Sequence, residues 1–280
     1  MLGHQLLKHF RDRHETAITL RRGRDAYRSI SHLLKDGGIY YDVDVRHRDR
    51  VRTVLGDFRP EVVINAVGIV KQRDEANARL PSLEINALFP HFLAEDCASA
   101  GVRLIHMSTD CVFSGDKGGY VESDESDARD LYGRTKFLSE LYSDHCLTLR
   151  TSIIGLELVR KSGLIEWFLA QRGTVTGYGK AIYSGFTTME MGRIIERILA
   201  RHPELSGLWH VASTPISKFE LLQMLADKLE RNDIIIERDD TLVCDRSLVG
   251  SRFEKATGYQ PPDWNVMLEE LSTMVKCRNE

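Results

Sequence analysis

The feature that most constrains this chain is a repeated alternation of short apolar runs with segments of helical spacing. LGHQLLKHF (2–10) carries apolar residues at helical spacing, and TAITL (16–20) reads as a strand. GIYYDVDV (38–45), EVVINAVG (61–68), VRLIHMS (102–108) and CLTLRTSII (146–154) are further strand candidates. Between them fall RDRVRTVLGDF (48–58), SLEINALFPHFLAEDCASAG (82–101, expected to close at Gly101) and a helix around 130–144. EVVINAVG is almost continuously apolar, the pattern of a parallel strand buried on both faces. Strands alternating with helices imply βαβ units. The expected fold class is therefore α/β, a doubly wound parallel sheet.

After residue 155 the rhythm changes. Helical patterns at 163–173, 189–202 and 217–231 alternate with short strands at 208–213 and 234–240, and a last helix is expected near 266–276. The reading is a dinucleotide-binding domain over 1–155 and a smaller, mainly substrate-binding α/β lobe over 156–280. The opening is unusual. A dinucleotide-binding sheet begins with a strand, a glycine-rich turn and a helix. This chain begins on what looks like that helix, with only Gly3 left of a glycine series. The expected sheet is Rossmann-like but lacks its first strand and glycine turn.

Length and charge narrow the class. With 280 residues, 42% hydrophobic and 28% charged, the chain can bury a sizeable core. Net charge is −3, and the basic run RHRDRVR (46–52) is broken by Asp49 where a helix is expected, so it reads as a solvated helical face and not a nucleic-acid patch. Five cysteines at 97, 111, 146, 244 and 277 have no metal-ligand spacing, which argues against a zinc site or disulfide framework. No run of about 18 apolar residues suggests a membrane span, and there is no signal-peptide core. The expected setting is a reducing cytoplasm.

The chemistry concentrates at MSTDCVFSGDKGGY (107–120) and DLYGRTK (130–136). A strand ending in Ser108 and Thr109 exposes hydroxyls at its carboxyl end, where open α/β sheets bind ligands. Tyr132 and Lys136, four residues apart, share one helical face. A lysine ammonium beside a phenol favours the phenolate, and an acidified tyrosine serves as general acid–base towards a carbonyl or alcohol. Thr109 is placed to hydrogen-bond the same oxygen. Alone, the Tyr–Lys spacing is also that of a surface tyrosine beside a solvated lysine. Its position after a strand ending in Ser-Thr gives it weight.

The ordered set NAVG (65–68), STDCVFSG (108–115), YGRTK (132–136) and LRTSIIG (149–155) resembles the extended short-chain dehydrogenase/reductase family, and within it the dTDP-4-dehydrorhamnose reductase group of nucleotide-sugar reductases. That group shows Ser-Thr-Asp-Tyr-Val-Phe where this chain has Cys111. The resemblance implies NADPH-dependent reduction of a 4-keto sugar nucleotide, in surface polysaccharide synthesis. It casts Thr109, Tyr132 and Lys136 as catalytic, with Lys136 lowering the tyrosine pKa and holding the nicotinamide ribose. Gly3, Ala66, Val67 and Gly68 would line the cofactor, with Asp44 and Val45 at its adenine. Ser108, Thr109, Asp110 and Thr187 would meet substrate, and no metal is implied. Related 4,6-dehydratases carry Thr-Asp-Glu; Cys111 in place of that Glu favours reduction over dehydration.

Arg21 and Arg22 follow TAITL where an acidic residue would bind the ribose 2′-hydroxyl of NAD, and arginine suits a 2′-phosphate. NADPH is favoured, with NADH open. Met1 matches the methionine inside the family's Gly-x-x-Gly-Met-Leu-Gly turn, so a start about 10 residues upstream is expected. If residue 1 is the true start, weak cofactor binding and an exposed sheet edge or gap follow. That prospect keeps a second reading open, a non-catalytic NADP- or sugar-nucleotide-binding regulatory protein on the same fold, like the β subunit of methionine adenosyltransferase. A nucleotide-sugar epimerase is a third, and a homodimer is left open.

Overall fold

The computed structural model describes residues 1–34, 38–70, 78–159 and 161–279. Its first half runs α1 (Leu2–Phe10), β1 (Ala17–Thr19), β2 (Gly38–Tyr40), α2 (Arg48–Phe58), β3 (Val62–Asn65), α3 (Arg79–Ser82), α4 (Phe89–Ser99), β4 (Arg103–Thr109), α5 (Leu131–Phe137) and β5 (Cys146–Thr151). There follow β6 (Ile153–Ile154), α6 (Leu164–Ala170), β7 (Gly173–Tyr178), β8 (Ala181–Tyr183), β9 (Phe186–Thr187) and α7 (Thr188–Arg201). The chain closes with β10 (Gly207–His210), β11 (Ile216–Ser217), α8 (Lys218–Lys228), β12 (Ile234–Asp239), β13 (Cys244–Asp245), α9 (Ser251–Thr257) and α10 (Trp264–Asn279).

A four-stranded sheet in the order β10-β5-β4-β3 is parallel throughout, with Asn65 beside His106 and Thr109 beside Thr151 in its registers. β4 shows why the sheet is wound on both sides. Side chains alternate along a strand, and here Leu104 packs with Val51, Leu55, Phe89 and Leu93 of α2 and α4. Ile105 lies in the core that includes Leu6, Phe10, Ile194 and Ile198 of α1 and α7. Both are fully buried, and burying such a side chain contributes about 1.5–3 kcal/mol.

β1 and β2 form their own parallel pair, and no strand among the described residues joins β1 to β3. β3 is therefore an edge: Val62, Val63 and Ile64 are half-buried, where the sequence pattern predicts a strand covered on both faces. The division drawn at residue 155 is not a division of the sheet. β10 comes from beyond it and pairs with β5, while His9 of α1 and Arg13 in the turn after it bind Glu196 of α7. The smaller sheets β11-β8-β13, β12-β7 and β6-β9 lie in the second half. No helix among the described residues is long and apolar enough to cross a membrane.

Two predicted helices differ in detail. The segment 82–101 is helical and closes at Gly101 (φ +69°), yet Leu83–Leu88 is a π-type turn. Pro90 supplies a cause, since it lacks the N–H that would bond the carbonyl four residues back. The helix expected over 130–144 stops at Phe137.

Candidate active site

β4 ends where Thr109 turns its own side chain on the backbone. Its hydroxyl accepts the Cys111 N–H at 3.2 Å and caps the 3-10 turn Asp110–Val112, so the strand becomes a tight corner. α5 begins opposite this corner. Asp130 caps it through the Gly133 N–H at 2.8 Å, and Gly133 lies so close to the Cys111 carbonyl and the Ala128 side chain that a Cβ would collide with both. That contact carries the half-buried Tyr132 to Thr109. A hydrogen-bonding contact between the two hydroxyls works to lower the Tyr132 pKa.

The net direction for Tyr132 is nevertheless upward, chiefly from burial, with Cys111, Asp110 and Asp130 acting the same way. The phenol expected to be acidified by Lys136 is thus held protonated, the form of a proton donor. Lys136 is buried and its pKa falls to about 8, because desolvation outweighs the favourable charge of Glu140. Its ammonium donates to the Met107 carbonyl at 2.7 Å and lies 3.4 Å from His106 Nε2.

Below it, Asn65, His106 and Ser139 link β3, β4 and the end of α5 through contacts of 3.2 and 2.9 Å. Burial first, then Lys136, keeps His106 neutral. Asn65 Oδ1 also accepts the Val67 N–H at 3.1 Å, bending the chain after β3 and leaving Ala66 and Val67 exposed.

Asn86 completes this loop: it accepts the Ile69 N–H at 2.8 Å and donates to the Ile69 carbonyl at 2.9 Å. Gly68 fits because its Cβ position lies 3.4 Å from that same Asn86 oxygen, and the Gly3 position lies 4.0 Å from the Ala66 methyl. Sequence reasoning missed Asn86 and Gly133, although each left a signal. One is a polar residue inside an apolar helical run, and the other a glycine inside a helix, which costs about 1 kcal/mol and calls for a packing reason.

The remaining expected residues separate. Ser108, next to Thr109, points to the opposite face and donates to Glu140 Oε1 at 2.8 Å. Glu140 is held by Arg150 through two bonds of 2.6 Å, and Arg150 meets His210 at 3.2 Å, so Ser108 belongs to a buried structural network. Thr187 is 1% exposed and caps α7, its hydroxyl accepting the Glu190 N–H at 3.3 Å. Asp110 is buried and accepts from Thr109 at 3.1 Å.

Asp44 is gripped by Arg46 at 2.6 Å and held down to about 2, first by that hydrogen bond, with Arg21 adding to the effect. Val45 packs on Ile69 and Ile85. Arg21 and Arg22 are exposed just past the carboxyl end of β1, and neither forms an ion pair among the described residues. A cleft of about 790 Å³ lined by Ile216, Glu220, Met224, Arg231, Ile236 and Trp264 contains none of these residues.

A parallel sheet covered on both faces, with a Thr–Tyr–Lys cluster at its carboxyl end, defines an α/β protein of the Rossmann type. The chain belongs to the RmlD substrate binding domain family, whose model matches residues 1–157. It is 26% identical to a dTDP-4-dehydrorhamnose reductase of Aggregatibacter actinomycetemcomitans, over 87% of this chain and 94% of that protein. It is 30% identical to the spore coat polysaccharide biosynthesis protein SpsK of Bacillus subtilis, over 81% and 84% of the two chains. In fold it resembles the dTDP-4-dehydrorhamnose reductase of Bacillus anthracis in complex with NADP, with TM-score 0.75, 20% identity and coverage of 92% and 98%.

Proposed function

We propose that this protein reduces the keto group of a 4-keto sugar nucleotide with NADPH, as a cytoplasmic step of surface polysaccharide synthesis. The observation that carries the reading is the meeting of the Thr109 hydroxyl and the Tyr132 phenol on the helix that holds the buried Lys136 amine. The family and the reductases among the relatives support it.

The residues present fit a phosphorylated dinucleotide. His4 Nδ1 and Gln5 Oε1 are buried at the start of α1 without a hydrogen-bond partner among the described residues. Ala66 and Val67 are exposed beside Gly3, and Arg21 and Arg22 offer charge for a 2′-phosphate. When bound, NADPH supplies the hydride. Tyr132 holds the proton that the new alkoxide needs, and its raised pKa keeps that proton in place until charge develops on the substrate oxygen. Thr109 would orient the keto oxygen, and Lys136 would hold the nicotinamide ribose. Dehydration is disfavoured because Cys111 offers no second acid beside Asp110.

The test is loss of NADPH absorbance with dTDP-4-keto-6-deoxy sugars as substrate. Turnover is expected, and Tyr132→Phe should lower kcat by about 10²–10⁴ while NADPH binding persists. Tight NADPH binding without turnover of any keto sugar nucleotide would favour the regulatory reading instead.

A further inference from the structure

The Thr109 hydroxyl carries one proton, and three groups compete for it: the Asp110 carboxylate, the Tyr132 phenol and a bound keto oxygen. Thr109 Oγ1 donates to Asp110 Oδ1 at 3.1 Å while accepting the Cys111 amide at 3.2 Å. An ionised carboxylate only accepts hydrogen bonds, and so does a keto oxygen. While Asp110 is ionised, Thr109 therefore has no proton for the substrate carbonyl. Protonation reverses the bond. Asp110 then donates to Thr109, whose two lone pairs are filled by Asp110 and the Cys111 amide, and the threonine proton is free to turn towards the Tyr132 phenol and a keto oxygen bound beside it.

Resting on the reductase reading, we infer that Asp110 is a positioning residue that acts in its protonated form, releasing the Thr109 hydroxyl to polarise the keto group. The surroundings favour that form in one respect and resist it in others. Asp110 is 6% exposed, and burial raises its pKa most strongly; Arg246, Lys218 and the hydrogen bonds from Cys111 and Thr109 pull it down. Arg246, after β13, donates its Nε to the Phe113 carbonyl at 2.8 Å and forms no ion pair with Asp110 among the described residues. Lys218 stands at the start of α8. Tyr132 of α5 and Tyr183 of β8 are phenols with raised pKa, each pushed further up by Asp110, and Asp130 joins Asp110 in raising the Arg246 pKa.

The test compares kcat/KM against pH for wild type and Asp110→Asn, whose amide donates to Thr109 at every pH. Wild-type kcat/KM should fall about tenfold per pH unit above the Asp110 pKa. Asp110→Asn should stay within a few-fold of the wild-type low-pH value and lose that limb. An active Asp110→Asn with an unchanged profile overturns the inference. So does an inactive variant whose melting temperature and NADPH affinity match wild type.

Should the variant not fold, infrared spectra of wild type carrying isotope-labelled aspartate decide. A protonated carboxyl band at neutral pH is expected, and carboxylate bands alone overturn the inference. No wild-type turnover of any keto sugar nucleotide would overturn the reductase reading and this inference with it. Turnover with a wrong Asp110→Asn outcome overturns the inference alone.

Discussion

Gly133 sits against the carbonyl oxygen of Cys111, closer than any side chain permits, and this contact sets the first turn of α5 beside the end of β4. The Cβ of an alanine there would also lie 2.7 Å from the Ala128 methyl. Gly133→Ala gains about 1 kcal/mol in helix propensity. The clash is with backbone that cannot swing away, so a net loss of about 1–3 kcal/mol is expected, as for overpacked cores. Urea unfolding reads the stability. A parallel assay should show kcat falling with it, because Tyr132 moves away from Thr109. A variant as stable and as active as wild type would refute this.

Lys136 couples stability to pH. Its folded pKa of about 8 lies below lysine's ordinary value of 10.5, so between these values the unfolded chain holds a proton that the folded chain does not. Stability therefore rises with pH across that window and is lowest, for this group, below pH 8. Lys136→Met should remove that rise from unfolding curves measured at the two ends of the window, and should abolish turnover.

Glu140 and Arg150 form a buried ion pair beside the carboxyl end of β4, with side chains 0% and 2% exposed. Removing one partner, as in Arg150→Met, leaves a buried unpaired carboxylate and should cost about 3–5 kcal/mol. The double variant Glu140→Leu, Arg150→Met should cost less than the two single changes summed. Denaturant midpoints of the three variants check this, and strict additivity would show that the pair is not coupled.

Arg21 and Arg22 should decide the choice of cofactor. Replacing both by serine is expected to weaken NADPH binding about 10–100-fold, the loss of charge-assisted hydrogen bonds to a phosphate, while NADH affinity changes little. Fluorescence titration with each dinucleotide separates the two, and equal losses would place the 2′-phosphate elsewhere.

The sequence by itself determined the alternation of strands and helices, because parallel strands and the helices covering them carry different hydrophobic periods. α1 and α2 fall on the predicted segments, and the strand end at Thr109 was legible from its Ser-Thr-Asp cluster. The helical spacing of Tyr132 and Lys136 was equally plain.

Tertiary structure decided what each side chain does, since a hydroxyl's role depends on partners distant in sequence. Ser108 is held by Glu140, Thr187 is engaged by its own helix, and Tyr132 is kept protonated by burial that no spacing reveals. β3 reads as a fully covered strand because periodicity reports composition and not neighbours; its place at the edge of the four-stranded sheet emerges only once the strands are paired.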